Sequence, residues 1–368
     1  MIRVLVVDDS VVVRRVLSEA LTSDPRISVV GSAANGSIAL QKLGQLRVDV
    51  VILDIEMPDM DGIETVRRVR AGFPDLPVIM CSALTERGAE ITLRALAAGA
   101  TDYVAKPTAA ASEFDRASSF KSELLGKVIA LGERFTRRSL APNAPRPSVV
   151  GQLKARPATA LSVPAVLAIG CSTGGPNALA TLFERIPRDL SVPILIVQHM
   201  PPLFTKILAD RLAASSGMRV VEAEPGGLIE PGQVYIAPGN FHLTVGRSGA
   251  RPVTQLNQDE PENSCRPAVD VLFRSLAAFY RSGVLACVLT GMGRDGARGA
   301  REIVAAGGSV VVQSADTCVV PSMPRAIIDA GLADKVLPLA NLADELVRRV
   351  HGPAGVRVPV RAVSHREI

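Results

Sequence analysis

The chain opens with short apolar runs set between amphipathic ones. "RVLVV" (3–7), "ISVVGSA" (27–33), "VDVVILD" (48–54), "LPVIMCS" (76–82) and "DYVAK" (102–106) read as strands. Between them, apolar residues recur at helical spacing near 11–22, 36–45, 61–71 and 86–98, with another helical pattern at 112–135. Five βα units of this length predict a parallel, doubly wound sheet. The rhythm stops over "RRSLAPNAPRPSVVGQLKARPATALSVP" (137–164), which is rich in Pro, Ala and Arg, has no period, and reads as an interdomain linker. It resumes at Ala165 with "AVLAIG" and "VPILIVQH", then "QVYIAPGNFHLTV" as a hairpin element. "GVLACVLTG", "GGSVVVQSA" and "ADKVLPL" follow between helical stretches. The expected organisation is an α/β domain at 1–122, a helix end and linker at 123–164, a second α/β domain with a mostly parallel sheet at 165–350, and a frayed basic tail at 351–368.

Composition narrows the classes. At 368 residues two domains are expected, and 48% hydrophobic residues supply both cores. Aromatics make up only 3% and Trp is absent, so there is little to stack bases, and no nucleic-acid partner is expected. The net charge of +5 would suit a polyanion, but its excess lies elsewhere than on a folded face. Arg137, Arg138, Arg146, Lys154 and Arg156 fall between Thr136 and Pro164 with no acid among them, and the tail is also basic. The five cysteines are odd in number, widely spaced and without a CxxC, which fits reduced thiols in a cytoplasmic protein. Asp8 and Asp9 interrupt the first apolar stretch, so no signal peptide is expected. No apolar run reaches about 18 residues, so no membrane span is expected.

In an open α/β sheet, function collects at the carboxyl ends of the strands. In the first domain those ends carry Asp8 and Asp9, Asp54, Ser82, and Lys106 ahead of Pro107. Three converging carboxylates repel one another, and a hard divalent cation held by oxygens, Mg²⁺, relieves that repulsion. A carboxylate beside Mg²⁺ can attack a phosphoryl group while metal and lysine neutralise the developing charge. Any single Asp here could instead cap a helix, but matched strand ends make that reading poor. The pattern "VDDS…LDIEMPDMDG…CSA…AKP" resembles the flavodoxin-like receiver domain of two-component response regulators. The resemblance implies Asp54 as phosphoacceptor, with Asp9 binding Mg²⁺ directly, Asp8 assisting, and the backbone carbonyl of Glu56 as a further ligand. It also implies that Ser82 and Lys106 sense the acyl phosphate and that Tyr103 is an aromatic switch.

The second domain offers three readings. "GMGRDG", Gly291 to Gly296, matches a dinucleotide fingerprint and follows a strand, yet Asp295 would put a carboxylate where a pyrophosphate should sit. "GCSTGG" lacks the lysine of a phosphate loop, since Pro176 follows it. The third reading is nucleophilic hydrolysis, because "GCSTG", Gly170 to Gly174, fits G-x-S-x-G between a strand and a helix. A serine needs a base, most often histidine. His351 and His365 lie at the tail. His199 ends the strand "PILIVQH" and is preferred to His242, which alternation in the expected hairpin would put at the surface. Asp295 reaches the same rim and could orient the base. The order Ser…His…Asp differs from that of the α/β-hydrolases, so the motif is a shared geometric solution and not membership of that fold.

"IGCSTGGPNAL", "VQHMPPLFT", "IAPGNFHL", "LTGMGRDGARG" and "CVVPSMPRAI" resemble the catalytic domain of chemotaxis protein-glutamate methylesterases. A receiver, a linker and this domain, in this order, is that family's architecture. The resemblance implies Ser172 as nucleophile, His199 as base and Asp295 as orienter, with the backbone N–H groups of Thr173 and Met292 as oxyanion hole. It implies hydrolysis of γ-glutamyl methyl esters on methyl-accepting chemotaxis receptors, with glutamine deamidation as a second activity and no cofactor for the esterase chemistry. It further implies a chemotaxis histidine kinase as phosphodonor, and an unphosphorylated receiver that blocks the esterase site. The protein is then expected in the cytoplasm, acting at membrane-bound receptor arrays. Cys171 stands where alanine is usual, and Pro321 and Ser322 replace an aromatic-glycine pair; both are expected to alter the lip that accepts substrate. The rival reading is a regulator whose second domain only binds receptors.

Overall fold

Uninterrupted Val, Ile and Leu runs are stable as strands only when both faces of the sheet are covered. Helices provide that cover throughout the computed structural model, which describes residues 1–106, 113–140 and 163–352. The N-terminal half runs β1 (Ile2–Val7), α1 (Val11–Thr22), β2 (Ile27–Ala33), α2 (Gly36–Gln45), β3 (Val50–Asp54), α3 (Gly62–Gly72), β4 (Val78–Ser82), α4 (Glu86–Ala97), β5 (Asp102–Ala105), α5 (Glu113–Leu140). Its strands are parallel in the order β2-β1-β3-β4-β5. The order reverses beside β1, which opens a crevice at the carboxyl ends of β1 and β3.

The C-terminal half continues with β6 (Val166–Cys171), α6 (Gly175–Phe183), β7 (Ile194–Gln198), α7 (Phe204–Ser216), β8 (Arg219–Glu222), β9 (Gln233–Ile236), β10 (His242–Ser248), β11 (Arg251–Asn257). It ends with α8 (Val269–Tyr280), β12 (Val284–Val288), α9 (Ala297–Ala305), β13 (Ser309–Gln313), α10 (Ser322–Asp329), β14 (Lys335–Leu337) and α11 (Leu339–His351). Seven strands form a parallel sheet in the order β14-β13-β12-β6-β7-β9-β8. The reversal falls at β6, flanked by β12 and β7.

Three departures from the sequence reading stand out. "QVYIAPGNFHLTV" is not one hairpin: its first part, β9, is an inner strand of the main sheet, and its second part, β10, pairs antiparallel with β11. Pro238 and Gly239 break the run between them. Strands β8, of four residues, and β11, of seven, each about half polar, were not foreseen. Helix α5 continues through Arg137 to Leu140, into the stretch read as linker. The remainder of that stretch to residue 162, and the predicted tail from residue 353, lie outside the described residues.

The halves touch along α4, β5 and α5. The Tyr103 ring stacks on Phe204 at the start of α7, with centroids 4.8 Å apart and planes 9° from parallel. Arg211 on α7 donates to the Leu93 carbonyl of α4 at 2.5 Å, and Asn177 on α6 donates to the Ala100 carbonyl at 3.3 Å. From α5, Arg134 reaches the carbonyls of Ala315 and Asp316, and Gly126 lies against the Met292 thioether.

Candidate active site

Adjacent strands in register end side by side, so residues that follow them meet. Cys171 and Gln198 are register partners on β6 and β7, and the His199 N–H donates to the Cys171 carbonyl at 3.2 Å. Ser172 and His199 therefore begin neighbouring turns at one rim. Asp295 reaches the same rim from the loop after β12, the strand on the other side of β6. Its Oδ2 lies 2.8 Å from His199 Nε2. Among the described residues no hydrogen bond joins the Ser172 hydroxyl to the imidazole; His199 Nδ1 faces Cys265 Sγ at 3.5 Å instead.

Asp295 is 1% exposed, and a carboxylate there must be fully provided with donors. Its Oδ2 also accepts from the Val269 N–H at 2.6 Å, while Oδ1 accepts from the N–H groups of Asp270 and Gly296 at 3.0 Å and from Asn263 Nδ2 at 2.9 Å. Val269 and Asp270 open α8, so Asp295 also caps that helix from outside, at the positive end of its dipole. Burial works against its charge, but His199 and these backbone donors hold its pKa below the usual carboxylate range. Burial likewise opposes a charged imidazole, yet the hydrogen bond to Asp295, with Cys265 adding, raises the His199 pKa. Asp295 therefore does both jobs, helix cap and partner of His199.

The turn bearing Ser172 is held tightly. Gly174 takes a left-handed φ of 76°, and a β-carbon on Gly291 would come within 2.9 Å of the Ser172 β-carbon. Thr290 Oγ1 donates to the Thr173 carbonyl at 2.9 Å, and Gln198 Nε2 donates to the Ser172 carbonyl at 3.1 Å. The backbone N–H groups of Thr173 and Met292 donate to no acceptor among the described residues. The loop carrying Met292 is braced by Ser322, whose hydroxyl donates to the Gly291 carbonyl at 3.0 Å and accepts from the Gly293 N–H at 3.1 Å. In "GMGRDG", the anion position that a pyrophosphate would need is taken by the chain's own Asp295.

Two expectations fail here. His242 is 1% exposed: its Nδ1 accepts from the Ala268 N–H and its Nε2 meets the Glu260 carbonyl, because β10 packs on α8. Cys171 does not reach any lip. It is fully buried in the core on one face of the sheet, its sulfur 3.8 Å from the Val197 carbonyl. Pro321 and Ser322 stand beside the loop that carries Met292, with Ser322 bonded to Gly291 and Gly293. Sequence reasoning missed Gln198, Cys265 and Asn263; only Gln198 left a signal, as a polar residue inside an apolar strand end.

The first sheet presents a second cluster. Ligand oxygens of Asp8, Asp9 and Asp54 lie within 4.8 Å of one another. Lys106 Nζ bridges Asp8 at 2.9 Å and Asp54 at 2.8 Å. Burial raises the Asp54 pKa against the pull of Lys106. The Glu56 carbonyl accepts no hydrogen bond among the described residues. These hard oxygen donors on one rim fit a small divalent cation. Ser82 is turned away from them: its hydroxyl accepts from Thr92 and faces the Gly88 carbonyl, both on α4. Tyr103 points into the contact with Phe204.

The comparisons agree with this division. The family model described as CheB methylesterase matches residues 167–346, and that of the response regulator receiver domain matches residues 4–116. A Nocardioides sp. protein named protein-glutamate methylesterase/protein-glutamine glutaminase is 50% identical over 367 residues, covering 99% of each chain. A Trichodesmium erythraeum protein of the same name is 45% identical over 349 residues, covering 95% of this chain and 99% of its own. The crystal structure of the Thermotoga maritima CheB methylesterase catalytic domain matches with a TM-score of 0.50 and 42% identity, over 51% of this chain and 99% of that one.

Proposed function

The chain belongs to the CheB methylesterase family, and on that premise we propose that Ser172, His199 and Asp295 hydrolyse γ-glutamyl methyl esters of methyl-accepting chemotaxis receptors. It is a protein-glutamate methylesterase and protein-glutamine glutaminase with a receiver domain ahead of the catalytic one. The observation that carries the assignment of residues is the 2.8 Å pairing of His199 with a buried, ionised Asp295 one strand away from Ser172.

The Ser172 oxygen attacks the ester carbonyl carbon, and His199 takes the hydroxyl proton. Nε2 is committed to Asp295, so Nδ1 is the nitrogen that accepts it. The free N–H groups of Thr173 and Met292 stabilise the tetrahedral oxyanion. Collapse expels methoxide, which takes the proton from His199 and leaves as methanol. Water, deprotonated by the same imidazole, then hydrolyses the acyl-enzyme, freeing the glutamate and restoring Ser172. A glutamine amide would follow the same course and release ammonia, and as the less reactive acyl group it would turn over more slowly.

In the receiver, Asp54 accepts the phosphoryl group of a chemotaxis histidine kinase, and Lys106 neutralises its charge. Asp8, Asp9, Asp54 and the Glu56 carbonyl would hold Mg²⁺, which when bound supplies charge neutralisation for the transfer. Ser82 and Tyr103 carry the change outward. Support for regulation at the contact comes from Tyr103 against Phe204 and from α5 against Met292, which ties the receiver to the oxyanion loop. Phosphorylation biases this interface toward its open arrangement. The setting is cytoplasmic, at membrane-bound receptor arrays; no described helix is long and apolar enough to cross a membrane.

Methanol release from methylated receptor, with and without a small phosphodonor, tests this reading. Wild type should release methanol and respond to the donor. Ser172→Ala should lose turnover by on the order of 10⁶, and Asp54→Asn should keep basal turnover but lose the response. Equal methanol release by wild type and Ser172→Ala would sink the assignment.

A further inference from the structure

Asn263 lies in the irregular segment between β11 and α8, where no periodicity marks it, and it is exposed. Its backbone takes a left-handed φ of 54°, followed by Ser264 at 62°. That pair of conformations, which asparagine tolerates better than most residues, turns the side chain back onto the body of the domain. There the amide nitrogen spends both hydrogens on buried carboxylates: Nδ2 donates to Asp295 Oδ1 and to Asp270 Oδ2, each at 2.9 Å. Asp270 is fully buried, and its other oxygen accepts from the Gly299 N–H of α9 at 2.6 Å.

Two carboxylates this close repel, and left alone they would separate or share a proton. An amide NH₂ set between them is a donor to both and an acceptor to neither. We propose that Asn263 is a positioning residue of the esterase: it pins Oδ1 of Asp295 against Asp270, leaving Oδ2 aimed at His199. The inference rests on the esterase reading, and it adds a residue from a third segment to the machinery.

The charged and titratable groups around the amide define what a pH experiment would read. Asp270 and Arg274 face it from α8 and Arg298 lies nearby on α9, with Asp295 and His199 beyond. Its own segment contributes Glu262 and Cys265. Glu262 is held as an anion by Arg274 at 2.5 Å, with Arg298 at 3.9 Å, and Cys265 Sγ lies 3.5 Å from both the Asn263 carbonyl oxygen and His199 Nδ1.

Two substitutions separate the side chain from the backbone. Asn263→Gly keeps the left-handed turn without strain and removes both donors. Asn263→Asp keeps the shape but sets a third carboxylate against the other two. For Asn263→Gly, kcat for methanol release should fall about 10- to 100-fold with KM changed less than about twofold, as expected when a catalytic group is misplaced by a fraction of an ångström. Asn263→Asp should fall further at pH 8, and the ratio of its kcat to that of Asn263→Gly should rise toward one as pH drops to about 5.5, because its protonated carboxyl regains one donor. A readout independent of turnover is the downfield ¹H resonance of the His199 Nε2 proton. It should be sharp in wild type and shifted or broadened in Asn263→Gly. Wild-type kcat, pH profile and resonance in Asn263→Gly would overturn the proposal. So would equal losses in both variants at every pH, accompanied by a lowered melting temperature, since that is the mark of a merely structural role. Failure of wild type itself to release methanol would instead count against the esterase reading, while the resonance still tests the positioning.

Discussion

The two halves of this chain start their helices in opposite ways. In the receiver, α1 to α4 each begin under a side-chain cap: Ser10, Asn35, Asp61 and Thr85 accept from the N–H groups of Val13, Ile38, Glu64 and Gly88. In the catalytic half, α6 to α11 begin with no such local cap. Helices α6 and α9 start instead on left-handed glycines, Gly174 and Gly296. Local caps make helices that are self-sufficient, suited to a domain whose chemistry lies in side chains at strand ends. Where the cap is absent, N–H groups are left for longer-range partners. Asp295 takes those of α8, Asp270 takes one of α9, and that of Thr173 beside α6 donates to no acceptor among the described residues. Catalytic geometry and helix termination are thus the same set of bonds in one half and separate sets in the other.

The largest test of that contrast is Asp295→Asn. It should lower kcat by on the order of 10⁴, as loss of an orienting acid does, and also lower the stability of the catalytic half by about 1–3 kcal/mol, because the amide cannot accept from all of its present donors. The pH dependence has a definite sign. His199 has a folded pKa raised above its unfolded value, to about 10. The pair's contribution is therefore fully present below about pH 6.5, on this side of the linkage, and is lost as pH rises through the folded value. The stability gap between wild type and Asp295→Asn should accordingly narrow in alkaline titrations. The acid limb of the wild-type rate profile should lie above pH 6.5 and move down in the variant, where burial still opposes the charged imidazole and only Cys265 is left to favour it. A rate loss without a stability loss would separate the two roles assigned to Asp295.

A smaller effect is expected at the contact between the halves. Arg211→Met keeps the apolar stem but removes the bond to the Leu93 carbonyl. Losing about 1 kcal/mol from the closed arrangement should raise methanol release without phosphodonor by about fivefold, with fully phosphorylated activity unchanged. An unaltered basal rate would mean that this bond does not hold the halves together. The smallest change comes from Asp61→Ala, which removes a local cap on α3. Receiver stability should fall by about 1 kcal/mol in thermal melts, with kcat of the phosphorylated enzyme untouched.

What the sequence made legible follows the same division. Strand ends announce themselves, because an apolar run stops at a polar residue; Asp54, Lys106, Ser172 and His199 were all found that way. Asp295 was legible as a carboxylate that spoils a phosphate loop. The residues that were missed depend on partners far along the chain. Asn263 and Cys265 sit in an aperiodic segment, and nothing local ties them to a loop beyond α8. His242 was read by alternation within one hairpin, but its burial is decided by α8 packing on that hairpin. Cys171 was read by its neighbour Ser172, whereas successive residues at a strand end face opposite sides of a sheet.

The stacked pair Tyr103 and Phe204 belongs at once to β5 of one half and to the first turn of α7 in the other. Free energy stored in a shared contact is indifferent to which side releases it. If phosphorylation of Asp54 weakens that stack by some factor, then a receptor that must part the halves to reach Ser172 favours the phosphorylated form by the same factor. Substrate, in that case, is an effector of the receiver: the enzyme would be most readily charged where there is ester to remove.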